Sequence, residues 1–162
     1  MRPLTIRAID TATWRNGWRG DTDNLYQGNA GQWSSFKVPQ RGFWFYGPGA
    51  ADDHRNRTCE SITIRVRVMT QAGASGPVPV RFRLHTAPTR PAGMPTLLSN
   101  QHTVNLTPGT HDVELHPSSM GQPILDGQAA GVAIVADATS EYRGIHGRTA
   151  DAMSGHLTIT TT

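Results

Sequence analysis

The chain has 162 residues, of which 36% are apolar, with 17 glycines, 11 prolines and a formal net charge of +3. So turn-rich a composition points away from a helical protein and toward an all-β one, in a single domain covering residues 1–162. A charged fraction of only 17% with recurring apolar alternation argues against disorder, and no apolar run approaches the ~20 residues of a membrane span.

Fourteen of the fifteen basic residues are arginine, Lys37 being the exception, and they are scattered along the chain. With no basic stripe and no recognition motif, nucleic acid is not an expected partner. Cys59 is the single cysteine, so no disulfide framework and no pair of cysteine ligands for zinc can form within the chain. The start, Met1-Arg2-Pro3-Leu4, turns polar at once and lacks the apolar core of a signal peptide. A soluble protein follows, with no expected cofactor and no membrane partner.

In chain order, apolar alternation over residues 4–9 predicts a first strand. Residues 10–40 then read as a long aromatic-rich loop, in which Asn16-Gly17 and Arg19-Gly20 are turn signals. Phe43-Trp44-Phe45-Tyr46, bracketed by Gly42 and Gly47, predicts a second strand. Its parity assigns Phe43 and Phe45 to the core and sets Trp44 against a covering loop. Residues 50–60 fit a short helix or a loop. The clearest strand is 61–69, with Ile62, Ile64, Val66 and Val68 on one face and Arg65 and Arg67 on the other. After a Gly-rich turn, Val78, Val80, Phe82 and Leu84 alternate with Arg81 and Arg83, which predicts an antiparallel hairpin with the preceding strand. Residues 86–100 read as a proline-rich loop, 103–106 and 111–115 as strands, 121–127 as a one-turn helix, 130–136 as an inner strand, and 156–160 as the last strand. About eight strands with long loops predict a two-sheet antiparallel β-sandwich of jelly-roll type. Its expected core includes Phe43, Phe45, Ile62, Ile64, Val66, Phe82, Leu84 and Leu157.

Nine of the eleven aromatic residues lie between Trp14 and Tyr46. Trp14, Trp18, Tyr26 and Trp33 are therefore the candidates for contact with a partner. They could cap the sandwich, pack between subunits, or stack on sugar rings, and interfaces enrich tryptophan, tyrosine and arginine. Arg65, Arg67, Arg81 and Arg83 would line the outer face of the expected hairpin, as a solvated face or as a seat for an acidic partner surface. Asp21, Asp23 and Asp52 could offer oxygens to a cation, but Asp-x-Asp-Asn is common in turns, and a solvated turn is preferred. None of the seven histidines makes a pair at metalloprotease spacing, and the three glutamates suggest no catalytic pair. No catalytic or metal-binding residue is expected.

Several segments in order carry a resemblance: Ala8-x-Asp10-Thr11-x-Thr13-Trp14, Trp18-Arg19, Asp23-Asn24-Leu25-Tyr26-Gln27-Gly28 and Gly42-Phe43-Trp44-Phe45-Tyr46-Gly47. Phe82-Arg83-Leu84-His85 with Thr89-Arg90-Pro91-Ala92-Gly93-x-Pro95, and Ser154-Gly155-x-Leu157-Thr158, complete it. Together they resemble a β-sandwich domain of actinobacteriophage minor tail proteins. The resemblance implies a non-enzymatic virion structural protein of the tail tip or a fibre. It would be made in the host cytoplasm, form homo-oligomers and contact other virion proteins. A free-standing copy could instead decorate the capsid or tail tube. A carbohydrate-binding module for host surface glycans is the alternative from another class.

Overall fold

A computed structural model describes residues 3–29, 38–70, 76–136 and 141–162. Eleven strands lie in these segments. They are β1 (Leu4–Ile6), β2 (Asp10–Trp14), β3 (Leu25–Gln27), β4 (Arg41–Phe45), β5 (Cys59–Val68), β6 (Val78–His85), β7 (Leu97–Leu106), β8 (Gly109–Leu115), β9 (Gly131–Val135), β10 (Arg143–Ile145) and β11 (Leu157–Thr161). A 3₁₀ turn at Asp52–His54 precedes β5. Between β8 and β9, a π turn at Pro117–Gly121 runs into a single α turn, α1 (Gln122–Leu125).

The strands form two antiparallel sheets, one of six strands and one of five. In the larger, β1 pairs β11 and β11 pairs the first half of β5. β10, carrying β3 beyond it, continues along the same side of β5 at Val68, while β8 takes the other side. The smaller sheet runs β2-β4-β9-β6-β7. Without β2, β3 and β10 the orders are β1-β11-β5-β8 and β4-β9-β6-β7, which is the double Greek key of a jelly roll.

Strand alternation corrects the expected hairpin. The faces of β5 and β6 read as predicted, but β5 belongs to the six-stranded sheet and β6 to the five-stranded one. Their apolar residues, Ile62, Ile64 and Val66 against Val80, Phe82 and Leu84, share the core between the sheets. The segment expected as a loop over 10–40 contributes β2 and β3, β7 begins inside the expected proline-rich loop, and β10 carries no alternation that would have announced it.

The parity of the aromatic strand is also the reverse of the expected one. Trp44, with Tyr46 just beyond β4, lies in the main core, where Trp44 stacks 6.3 Å from Phe82. Phe43 and Phe45 are buried too, but on the outer face of the five-stranded sheet, with Ala12 and Ala133. Parity alone could not decide which side was inner, because both sides are covered. Each fully buried ring contributes about 2–3 kcal/mol of apolar burial.

The polar ends of the two inward rings reach the opposite layer. Trp44 Nε1 donates to Ser154 Oγ at 3.0 Å, and the Tyr46 hydroxyl donates to the Gly155 carbonyl at 2.6 Å. Ser154 Oγ in turn donates to the His146 carbonyl, and Gly155 N donates to the Arg65 carbonyl at 2.7 Å on β5. Gly155 has φ +77°, and a Cβ there would run into the Trp44 indole. Gly42 likewise has no room for a Cβ against Leu25, which lets β3 cross close over β4.

A second polar device closes the bare half of β6, beyond the reach of β9. The buried Gln27 side chain accepts from Arg81 N at 3.0 Å and donates to the Pro79 carbonyl at 2.7 Å. One side-chain amide thus does the hydrogen bonding of an absent strand, and the proline sits where no ladder donor is needed.

His85 is fully buried beneath Phe43 and Phe45. Its Nδ1 accepts from Ala87 N at 3.2 Å, so Nε2 carries the hydrogen and donates to the Trp44 carbonyl at 2.8 Å. Burial, opposed by that bond, lowers its pKa from 6.5 to about 4.

Two predictions follow from this packing. Gly155→Ala should destabilise the protein by about 3 kcal/mol or more, through overpacking and an unfavourable φ, as read by urea unfolding. Below pH 6.5 the unfolded chain protonates His85, while the folded chain resists until about pH 4. Stability from this residue is therefore complete above that window and falls by ~3 kcal/mol as pH drops through it. His85→Gln should flatten that portion of the stability–pH curve.

Candidate functional site

Trp14 ends β2, and the tight turn after it brings Trp18 back as a bridge partner. Asn16, at φ 54°, and Gly17 supply the turn. The two indoles meet edge to face at 5.1 Å. Trp18 then lies edge-on over Phe43 and Phe45, at 5.6 and 6.0 Å. Both tryptophans are half-buried, so they roof the outer aromatic cluster and still present a side to solvent.

Trp18 is fixed from the other side by residues 90–91. Its Nε1 donates to the Pro91 carbonyl at 2.7 Å, and the Arg90 guanidinium stands 5.6 Å over the ring. Arg90 is held by a two-pronged pair with Asp10, at 3.0 and 2.8 Å. Arg41 and Met94, which is 37% exposed, join at 3.3 Å beside this roof. Trp14, Trp18, Arg41, Arg90 and Met94 thereby form one continuous aromatic and cationic surface on the outside of the five-stranded sheet.

Next to it opens a polar cleft of about 520 Å³, lined by residues 19–24, Arg90, Thr149 and Ala150. Arg19 pairs Asp21 through two nitrogens, at 3.1 and 2.7 Å, and reaches Gln40 with a third. The guanidinium also holds the Asp21 carboxyl below the usual carboxylate range. Asp23 accepts from the backbone and hydroxyl of Thr149, at 2.9 and 2.8 Å. Asn24 Oδ1 accepts from Gly147 N, and Thr13 Oγ1 donates to the Asn24 carbonyl, so the cleft floor is tied to β2 and to the 147–149 turn. Arg19 further lies 5.1 Å over Tyr26, which stacks on Tyr142 at 6.0 Å.

The predicted contact residues therefore separate into groups. Trp14 and Trp18 come together; Tyr26 lies apart from them, under Arg19, whereas Trp18 is held by Arg90; Trp33 falls outside the described residues. The arginine quartet does not form, because its halves belong to different sheets. On the six-stranded sheet, Arg65 stands 4.0 Å from Asp112 of β8, and Arg67 adjoins His146. On the five-stranded sheet, Arg81 pairs Glu141 at 2.9 and 2.6 Å, and Arg83 donates twice to the Leu98 carbonyl. Arg81 lowers the pKa of Glu141 as Arg19 does that of Asp21.

The carboxylates considered for a cation are likewise apart. Asp21 and Asp23 serve the cleft, and Asp52 pairs Arg55 at 2.6 Å, at the rim of a separate cavity of about 300 Å³ beside Tyr46. Cys59 is buried, and desolvation raises its thiol pKa, which disfavours a reactive thiolate.

Sequence reasoning missed Arg90, Asp10 and Thr149 as site residues. Arg90 sits 80 residues from its partner Asp10, and Thr149 sits 126 from Asp23, so no local spacing relates them. Neither a family model nor a curated protein matches the chain.

Trp18→Ala should remove the roof over Phe43 and Phe45 and cost about 2–3 kcal/mol, below the ~3–5 kcal/mol of truncating a fully buried ring, cavity included, because Trp18 is only half-buried. Arg90→Lys should keep the charge but lose the two-pronged pair with Asp10, and cost no more than ~1 kcal/mol. Denaturant unfolding of both variants checks the ranking.

Proposed function

We propose that the chain is a non-enzymatic structural component of a phage particle, in a tail-tip, fibre or minor tail position, assembling through protein–protein contacts. The observation that carries this reading is the aromatic and cationic surface of Trp14, Trp18, Arg41, Arg90 and Met94. Tryptophan, arginine and methionine are the residue types concentrated at the centres of protein interfaces. Here they lie on a rigid sheet face, with Trp18 and Arg90 fixed in place before any partner arrives, which lowers the entropy lost on binding. The ordered resemblance to minor tail protein domains supplies the setting, and a capsid or tail-tube decoration protein would use the same surface. The cleft carboxylates are engaged by Arg19 and Thr149, an arrangement that suits binding better than acid–base chemistry.

The polar cleft supports a second reading, recognition of a host wall glycan. Its carboxylates, hydroxyls and guanidinium groups stand beside a half-exposed tryptophan, the mixture a sugar needs. Trp18, however, already has one face under Arg90 and its edge on Phe43, which favours the protein partner.

The test is co-sedimentation of the chain with assembled particles, for wild type and a Trp14→Ala/Arg90→Ala double variant. Particle association by the wild type and its loss of roughly tenfold or more in the variant is the expected result. A wild-type chain that never travels with particles overturns the assembly reading. Tryptophan fluorescence shifted by wall polysaccharide, with no particle association, would transfer the surface to the glycan.

A further inference from the structure

The two sheets end in five edge strands that differ in how well they are protected. β1 and β3 have three residues each. The free side of β2 is taken by the 15–19 turn, where Arg19 N donates to the Thr13 carbonyl. β8 carries Asp112 and Glu114. β7 is different: ten residues, Leu97–Leu106, with no charge and no proline, paired among the described residues only with β6. Long, neutral edges are the ones that accept another strand, and short edges, charges and prolines are the usual protections against it.

The ladder fixes which groups point outward. Arg81 N bonds Gln27, and the His85 carbonyl accepts from Ala130 N, so the odd-numbered members of β6 face away from β7. The pairs Val80↔Val104 and Phe82↔His102 then carry the bonds between β6 and β7. By alternation Gln101, Thr103 and Asn105 turn their N–H and C=O groups to the free edge. Their side chains are exposed on the outer face of the sheet.

We propose that β7 pairs antiparallel with β7 of a second copy, on a two-fold axis through Thr103, joining the five-stranded sheets into one of ten strands. The occupant is a second copy because this edge suits itself. A neutral strand does not repel its twin, and antiparallel pairing about a two-fold axis closes after two chains. In that register Thr103 faces Thr103 and Gln101 faces Asn105, and such pairs can bond across the strands. Asp112 and Glu114 would keep the β8 edges from joining in the same way. The pairing goes beyond the particle assignment and does not depend on the tryptophan surface.

Light scattering over a dilution series tests it, with unfolding curves to verify that each variant is folded. The wild type should be a dimer that dissociates on dilution. Gln101→Lys with Asn105→Lys sets lysine opposite lysine twice and should raise the dissociation constant roughly tenfold or more. Gln101→Lys with Asn105→Glu sets lysine opposite glutamate twice and should restore the dimer. A wild type that is monomeric throughout, a dimer indifferent to the double lysine, or a folded lysine–glutamate variant that stays dissociated would each overturn the proposal.

Discussion

The sandwich depends on the ties that Trp44 and Tyr46 make across its core. Apolar burial presses two sheets together but does not choose their relative position; hydrogen bonds in a dry interior do. The indole N–H and the phenol hydroxyl leave β4 and its exit, cross the layer, and end on Ser154 and Gly155. That turn is itself bonded to β5. Left unpaired, either polar group would cost about 1–3 kcal/mol in the core. The placement of the five-stranded sheet over the six-stranded one is therefore fixed by two side chains and one short turn.

From that constraint the outer surface follows. With Trp44 and Tyr46 inward, Phe43 and Phe45 must face out, and an outward pair of phenylalanines needs covering. The turn after β2 supplies Trp18, and the loop after β6 supplies Arg90 to hold it. Core and candidate site are thus opposite faces of one strand, which is why the aromatic residues concentrate within so short a stretch. The cleft beside them is rigid for a related reason, since its floor is bonded to β2 on one side and to the 147–149 turn on the other.

What could be read in advance was the fold class, the polarity of individual strands and the identity of most buried residues. Alternation at Ile62, Ile64 and Val66, and again at Val80, Phe82 and Leu84, reports which side of each strand is apolar. It does not report whether two strands are hydrogen-bonded neighbours or face each other across a core, and the expected arginine quartet failed on that ambiguity. At Phe43-Trp44-Phe45-Tyr46 both parities are apolar, so the pattern contains no preference to read. β3 and β10 are too short to show a period; their positions depend on Gln27 and on the bonds they share with β5 and with each other. The cleft was hidden for another reason: Asp10–Arg90 and Asp23–Thr149 are contacts made by the finished topology and by nothing local.

Near-strict alternation of successive strands between the sheets also bears on how the molecule acquires its shape. Among the described strands, β6–β7 is the one hydrogen-bonded pair between chain neighbours; the others join segments farther apart in sequence, as when Leu4 meets Ile159. Each such closure costs chain entropy before it returns any burial, and high contact order slows folding to milliseconds or seconds. While that search lasts, the strand most easily formed early, β7 on its hairpin partner, is also the one with the least protected edge. The rate of reaching the native sandwich and the tendency of two chains to meet too soon are then set by the same ten residues.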